Sequence, residues 1–157
     1  MKRNGFTLIE LLVVISIMGV LATLVFASFT SSQRQARDTQ RKSDIKQFST
    51  SLEGFANKNN SLYPQRPVAN GVSASTVLCT DMGLTSCVVD PRYTLDSSFQ
   101  YLYQSDGSVS NGTAVATKYV LWSKLENSAY YWVICSTGNV GVKAQTGFSV
   151  SGGGCPL

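Results

Sequence analysis

The chain has 157 residues, a formal net charge of +4 and 43% aliphatic, aromatic or cysteine residues, which is enough for one folded domain plus an anchor. With 14% charged residues, it is neither a disordered chain nor a polytopic membrane protein. Histidine, the usual general base and the commonest metal ligand, is absent, which argues against a triad hydrolase or a zinc enzyme. We expect no enzymatic activity, no cofactor and no metal site.

The N-terminal segment is apolar enough to cross a bilayer. Between Phe6 and Phe29 the only charged residue is Glu10, and a hydrophobic run of about 20 residues spans a membrane as a helix. A carboxylate in such a helix costs about 2.5–3.5 kcal/mol at mid-bilayer and usually marks function. Lys2 and Arg3 also fit a secretory signal peptide cut after Ala27, or a simple signal anchor. Neither a signal peptide nor a simple anchor explains Glu10.

Cleavage between Gly5 and Phe6 would give Glu10 a partner. It creates a free α-amino group on Phe6, about one helical turn before the carboxylate, at a helix end that already carries partial positive charge. If copies of this helix lie side by side and shifted along their axes, the carboxylate of one copy meets the ammonium of the next. Either charge alone is costly in an apolar environment, so the pair is expected to set the register of assembly.

The motif that carries this chemistry is KRNGFTLIE over residues 2–10, followed by the apolar helix. It resembles the class III leader of type IV pilins and type II secretion pseudopilins. The resemblance implies a prepilin peptidase that cuts after Gly5 and methylates the new amino terminus at Phe6, and it gives Phe6 and Glu10 their roles in assembly. The implied partners are further copies of the chain in a helical homopolymer, minor pilins, an assembly ATPase, an inner-membrane platform protein and the membrane itself.

The helical pattern continues beyond the apolar segment. One apolar stripe recurs there at helical spacing and consists of Ile45, Phe48, Leu52 and Phe55. A helix from Phe6 to about Asn59, ended by Pro64, is about 80 Å long, of which a membrane takes about 30 Å. We predict an α+β fold in which a long N-terminal helix, half of it transmembrane, packs on a small antiparallel sheet, as in pilins.

Between the two halves of this helix lies a basic stretch with two carboxylates. Its charged residues are Arg34, Arg37, Arg41, Lys42 and Lys46 together with Asp38 and Asp44. We interpret it as a solvated helix face, supported by i,i+4 pairs such as Arg34–Asp38 and Asp38–Lys42 and in contact with lipid headgroups or neighbouring subunits. A groove for DNA phosphates is the secondary hypothesis.

The sequence after Pro64 changes to β-like composition. Residues 65–76 lack periodicity and predict a surface loop, and three runs rich in aromatic and β-branched residues, 99–103, 119–122 and 130–134, predict an antiparallel sheet of three to four strands. Four aromatic side chains in these runs resemble a ligand platform but are interpreted as sheet core and helix contacts: Tyr101, Tyr103, Trp122 and Trp132. The predicted organisation is a leader at 1–5, a membrane and filament-core helix at 6–29, its amphipathic continuation at 30–60 and a β-rich head at 61–157.

All four cysteines follow the apolar segment, and they are Cys79, Cys87, Cys135 and Cys155. In an oxidising compartment they would form disulfides, with three pairings open. A Cys79–Cys87 bridge closes a short loop, and a Cys135–Cys155 bridge resembles the C-terminal disulfide loop of many type IV pilins. The rival four-cysteine zinc site lacks Cys-x-x-Cys spacing. Major pseudopilins hold calcium in an Asp-rich C-terminal loop, a site that is not expected here because no Asp follows Asp106.

These features predict a structural subunit of a type IV pilus or pseudopilus. It would be a single-pass protein of the cytoplasmic membrane before assembly, and part of an extracellular filament or periplasmic pseudopilus afterwards. Pilus and pseudopilus both stay open, since the disulfide tail favours the first, and the Asp90-Pro91 and Tyr63-Pro64 segments resemble major pseudopilins. The sequence is also compatible with a minor pilin or competence subunit that binds DNA or a surface receptor, and with a secreted or anchored protein that has an ordinary signal peptide.

Overall fold

A single long helix forms one side of the structure. The computed structural model describes residues 6–157, without the side chains of residues 24–28. Helix α1 runs without interruption over Leu8–Lys58. It begins with a capping box, in which the Thr7 side chain accepts a hydrogen bond from the backbone of Glu10, and the Glu10 side chain accepts one from the backbone of Thr7. Among the described residues, no helix combines the length and hydropathy needed to cross a membrane.

The C-terminal end of α1 is set by a run of polar residues. The side chain of Asn59 donates to the carbonyl of Phe55 at 2.8 Å, which satisfies one of the last free carbonyls of the helix. Asn60 and Ser61 then take positive φ angles of 55° and 63°, and this left-handed conformation turns the chain away from the helix axis. The predicted end at about Asn59 is therefore confirmed to within one residue.

Five strands form an antiparallel sheet that packs against the C-terminal half of α1. Its order is β2-β3-β5-β6-β7, with β2 at Val72–Ser73, β3 at Tyr101–Ser105, β5 at Tyr119–Lys124, β6 at Tyr130–Cys135 and β7 at Val140–Ala144. Two shorter strands, β1 at Tyr63–Pro64 and β4 at Ala114–Ala116, form a separate pair. The predicted α+β fold is confirmed, and the sheet has more strands than the three or four expected.

The segment predicted as a surface loop at 65–76 is partly structured, so that prediction was wrong for its second half. Val72 and Ser73 pair with Tyr103 and Leu102 as strand β2. A π-helical turn over Ala74–Leu78 and the short helix α2 at Cys79–Asp81 follow directly. The stretch is too short to show a period of its own, and its structure comes from pairing with β3 across the head.

Two apolar clusters lie on the two faces of the sheet. Successive strand residues point to opposite faces, so Tyr101, Tyr103 and Leu121 face α1 and join its apolar stripe in the larger cluster. Trp122 and Val133 point the other way, into a cluster that the C-terminal segment covers. Tyr101 and Tyr103 thus take the core positions expected of them. Trp122 is also buried, but on the face that does not contact the helix.

Two disulfides close the head. Cys79 bonds Cys87, which fixes the loop after α2, and Cys135 at the end of β6 bonds Cys155 near the C-terminus. The second bridge holds the C-terminal segment across the outer face of the sheet, where partly buried Phe148 and Cys155 pack against the second cluster.

Candidate functional site: the exposed half of helix α1 and the attachment of the helix to the head

The described part of the N-terminal half of α1 exposes a nearly continuous run of large hydrophobic side chains. Large hydrophobic side chains between Phe6 and Leu21 are 45–90% exposed, whereas Ile45, Phe48 and Leu52 on the outer half of the same helix are 0–3% exposed. Soluble monomers rarely leave so large a continuous apolar surface uncovered, and such a surface marks a protein or membrane interface.

Phe6 and Glu10 lie together at the N-terminal end of this surface. Phe6 is 90% exposed and lies one residue before the cap, while Gly5, on the other side of the predicted cleavage site, lies outside the described residues. The Glu10 carboxylate accepts hydrogen bonds from the Thr7 backbone N–H at 2.8 Å and from the Thr7 hydroxyl at 2.7 Å. These bonds turn the carboxylate toward the end of the helix, where cleavage would create the new ammonium.

Two other polar side chains of this half are bonded to their own helix. The hydroxyl of Ser16 donates to the carbonyl of Leu12, and that of Thr23 to the carbonyl of Val20, both at 2.7 Å. Backbone carbonyls satisfy these hydroxyls without a partner chain. Glu10 differs because it carries a full charge that hydrogen bonds from Thr7 do not neutralise.

The outer half of α1 is attached to the head through a buried arginine. Arg41 is completely buried and forms a two-point contact with Asp90, from Nε at 2.6 Å and from Nη2 at 3.0 Å. Its Nη1 donates to Asp38 at 2.8 Å, and its guanidinium lies 4.5 Å from the centre of the Phe99 ring. Burial opposes the charge of Arg41, but the bonds to Asp90 and Asp38 outweigh it and raise the pKa of the guanidinium.

Glu126 and Asp38 extend this ion cluster to the loop between β5 and β6. Glu126 accepts hydrogen bonds from Arg37 at 2.7 and 2.6 Å and from Arg92 at 2.8 Å. Hydrogen bonds from Arg37 outweigh the effect of burial and lower the pKa of Glu126 from an ordinary 4.5 to about 2. Asp38 accepts from the backbone N–H groups of Glu126 and Asn127, at 2.7 and 2.9 Å. The helix therefore holds the loop through contacts to both its side chains and its backbone.

Tyrosine hydroxyls from the sheet add a second row of contacts along the helix. Tyr101 donates to the buried carboxylate of Asp44 at 2.5 Å, and burial together with this bond raises the pKa of the Tyr101 hydroxyl. The Tyr119 hydroxyl lies 3.2 Å from the Ser49 hydroxyl and donates to Glu53 at 3.0 Å. Each pair joins one polar position of α1 to one strand of the sheet.

The prediction of a solvated basic face was therefore wrong for its central residues. Asp38 and Arg41 lie three or four residues apart on the same stripe as Ile45, so the sheet buries them with the apolar residues. Asp38 pairs with Arg41, and Arg37 pairs with Glu126, in place of the expected i,i+4 pairs with Arg34 and Lys42. The signal was present, because the 3.6-residue period runs backward from Ile45 through both charged positions.

The predicted site residues thus separate into two regions. Phe6 and Glu10 lie at the free end of α1, and the four cysteines lie in the head, bonded in pairs. Sequence reasoning missed Thr7, although Thr-x-x-Glu before an apolar run is the signature of a capping box. It also missed Asp90 and Glu126, which come from distant loops and have no local pattern.

Comparison with known proteins finds one matching family and several similar proteins. The family described as "Prokaryotic N-terminal methylation motif" matches residues 1–26. The type II secretion system core protein G of Pseudomonas aeruginosa is 41% identical over 40% of this chain and 44% of its own length, and that of Klebsiella michiganensis is 29% identical over 69% and 63%. The type IV major pilin protein PilA of Myxococcus xanthus is 33% identical over 34% of this chain and 24% of its own.

The chain thus spans between a quarter and two thirds of the length of these relatives. No solved structure matches it. The family match covers the start of the long helix, which is the part that carries Phe6 and Glu10. By this motif and these relatives, the chain is similar to type IV pilins and type II secretion pseudopilins.

Proposed function

We propose that the protein is a structural subunit of a type IV pilus or pseudopilus, polymerised through the N-terminal half of α1. The observation that carries the proposal is the contrast along one helix: large side chains from Phe6 to Leu21 are 45–90% exposed, and the stripe from Ile45 to Leu52 is buried against the head. A second copy of the same half, or a bilayer, would cover the exposed surface.

In this proposal the chain is a precursor. A prepilin peptidase removes residues 1–5 and methylates the amino group of Phe6, residues 6–29 form the membrane anchor and then the filament core, residues 30–60 continue the stalk, and residues 61–157 form the head. Before assembly the chain lies in the cytoplasmic membrane, and afterwards in an extracellular filament or a periplasmic pseudopilus. An assembly ATPase and an inner-membrane platform protein would drive polymerisation, and minor pilins would join it.

Glu10 would act by exchanging partners. In the single chain its carboxylate accepts two hydrogen bonds from Thr7. In the assembled filament the carboxylate would pair with the Phe6 ammonium of a neighbouring copy, and that positive charge would neutralise the carboxylate. Copies out of register would leave both charges unpaired in an apolar environment, so the correct axial shift would be the most stable one.

In a structural subunit the head must stay rigidly attached to the helix. The ion cluster provides this attachment. Arg41, Asp38, Asp90 and Glu126 are all buried or nearly so, and they join α1 to two loops of the head. The same burial argues against the DNA hypothesis, since Arg41 has no exposed surface and Arg37 is committed to Glu126. Among the relatives described above, both pilins and type II secretion proteins occur, and the choice between them needs localisation.

The test is mass spectrometry of the protein recovered from its native host, without reductant, after shearing the cell surface. Processing predicts a chain that begins at methylated Phe6, and Glu10→Val should be processed normally yet be lost from filaments. Ser16→Val is the matched control, because it replaces another polar residue of the same half and should assemble normally. A chain that begins at Ser28, or filaments of Glu10→Val in normal amount, would contradict the proposal. Recovery from the surface indicates a pilus, and recovery from the cell envelope alone indicates a pseudopilus.

A further inference from the structure

The sheet face that points away from α1 carries an open groove of about 490 Å³. It lies between the loop at 69–70, the start of β3 and the C-terminal segment at 148–150. Its volume falls within the roughly 300–1,000 Å³ that small-ligand sites occupy in proteins. Nothing in the assembly role described above uses this face.

The walls of the groove are held in place by close packing. The Phe148 ring lies 5.6 Å from Trp122 and 4.6 Å from Tyr131, measured between ring centres. Gly71 brings the opposite wall so near that a Cβ there would lie 2.5 Å from the Trp122 ring. The Cys135–Cys155 disulfide keeps the C-terminal wall on the sheet. A groove fixed this way needs little ordering to accept a ligand, which favours binding.

The lining combines aromatic rings with uncharged hydrogen-bonding groups. Trp122 and Leu102 form the apolar floor, and the rings of Tyr131 and Phe148 stay partly exposed at the side. The polar groups are the amides and hydroxyls of Asn70, Ser98, Gln100 and Ser149. No residue that lines the groove, as the structure describes it, is charged. Outside the lining, the Nζ of Lys124 donates to the Ser98 hydroxyl at 3.0 Å.

This chemistry selects a neutral ligand that has apolar faces and many hydroxyl groups. Aromatic rings accept the C–H face of such a ligand, while amides and hydroxyls bond its edge. An ionic ligand would have to lose water without finding a countercharge in the lining, which is costly. A purely apolar ligand would leave the amides of Asn70 and Gln100 without partners. We propose that the groove binds a neutral saccharide.

The position of the groove suits this role in an assembled filament. The groove and α1 lie on opposite faces of the sheet, since Trp122 points away from the face that carries Tyr101 and Leu121. When the helices bundle at the filament core, the groove points outward, so a repeated subunit would present many copies of it. The binding itself does not depend on assembly and can be measured on the single chain.

The experiment uses the full chain in detergent micelles with its disulfides intact. The probes are neutral di- and trisaccharides of hexoses and N-acetylhexosamines, followed by tryptophan fluorescence and by saturation-transfer NMR. Trp132 faces α1, so Trp132→Phe leaves Trp122 as the single tryptophan reporter, and this variant should keep the response. At least one probe is expected to bind with a dissociation constant below about 10 mM, the weak end of specific binding.

Tyr131 and Tyr130 supply a matched pair of variants, because they are neighbours on β6 that point to opposite faces. Tyr131→Ala should weaken binding about tenfold, which corresponds to about 1.4 kcal/mol, and Tyr130→Ala by less than about twofold. Gln100→Ala is a second groove variant, with a smaller volume change, that should weaken binding in the same direction. Binding of none of the probes, equal effects of the two tyrosine variants, or binding of a neutral peptide in their place would overturn the proposal. None of these results bears on processing at Gly5 or on filament formation.

Discussion

Removal of Arg41 should destabilise the head more than loss of any exposed charge of α1. In Arg41→Leu the helix keeps an apolar but shorter side chain, and Asp90, whose side chain is 1% exposed, loses its two-point contact. The Asp90 carboxylate then keeps a hydrogen bond from the backbone N–H of Arg92 at 2.8 Å. Breaking a buried ion pair from one side costs about 3–5 kcal/mol. That is a large share of the roughly 5–15 kcal/mol that stabilises a domain.

Urea unfolding of the full chain in micelles, followed by tryptophan fluorescence, measures this effect. With an m-value of about 2 kcal/mol/M, the loss lowers the midpoint by about 1.5–2.5 M. Lys46→Leu removes an exposed cation five residues later and should change stability by less than about 0.5 kcal/mol. The double variant Arg41→Leu/Asp90→Leu should be more stable than Arg41→Leu alone, because it leaves no carboxylate stranded at position 90. If Arg41→Leu and Lys46→Leu unfold at the same urea concentration, the buried ion cluster is not what holds the head on the helix.

Three further predictions concern the charge of Glu126, two glycines of the C-terminal segment and the N-terminal cap of α1. The pKa of Glu126 is lowered from 4.5 to about 2, so its stabilisation is complete above about pH 4.5 and is lost as the pH falls toward 2. Glu126→Gln should remove this part of the acid dependence in thermal unfolding between pH 5 and 2, and an unchanged slope would contradict it. Gly153 has φ +66° and a Cβ there would lie 2.6 Å from a backbone carbonyl oxygen, whereas Gly152 has φ +52° and no atom within 4 Å. Gly153→Ala should therefore lower the melting temperature clearly more than Gly152→Ala. Equal decreases in melting temperature would show that a Cβ at position 153 does not clash with the backbone. Thr7→Val removes the capping box and should raise amide hydrogen exchange in the first turn about 2- to 30-fold, matching a loss of about 0.5–2 kcal/mol. Thr7→Ser should keep slow exchange, and fast exchange in both variants would show that the hydroxyl bond to Glu10 is not the cause.

The sequence was informative wherever structure depends on local pattern. The long helix, its end near Asn59 and the three main strands follow from periodicity and from the residue types at their ends. These features are set by neighbours within a few residues, so a single sequence carries them. The pairing of β2 and β7 could not be predicted from local pattern, because β2 has only two residues and four of the five residues of Val140–Ala144 are exposed.

The interpretation of the basic stretch shows where local reasoning stops. Arg34 and Arg41 have the same charge and lie on the same helix, yet the side chain of Arg34 is 56% exposed and that of Arg41 is fully buried. The difference is set by Asp90 and Glu126, which are 49 and 85 residues away from Arg41 in sequence. The pattern of residues along one helix face cannot identify partners that are so distant in sequence. Extending the apolar stripe backward from Ile45 would have shown that Arg41 was buried, although not what paired with it.

Both disulfides join cysteines that are consecutive along the chain, and this has a consequence for export. A chain that crosses a membrane from its N-terminal end delivers Cys79 and Cys87 together, and the third cysteine follows about fifty residues later. At synthesis rates of roughly 5–20 residues per second, that leaves about 2–10 s in which only one pairing is chemically available. If the head is exported as proposed, oxidation during translocation would yield the native bridges in order of emergence, and a disulfide isomerase should be dispensable even where an oxidase is required.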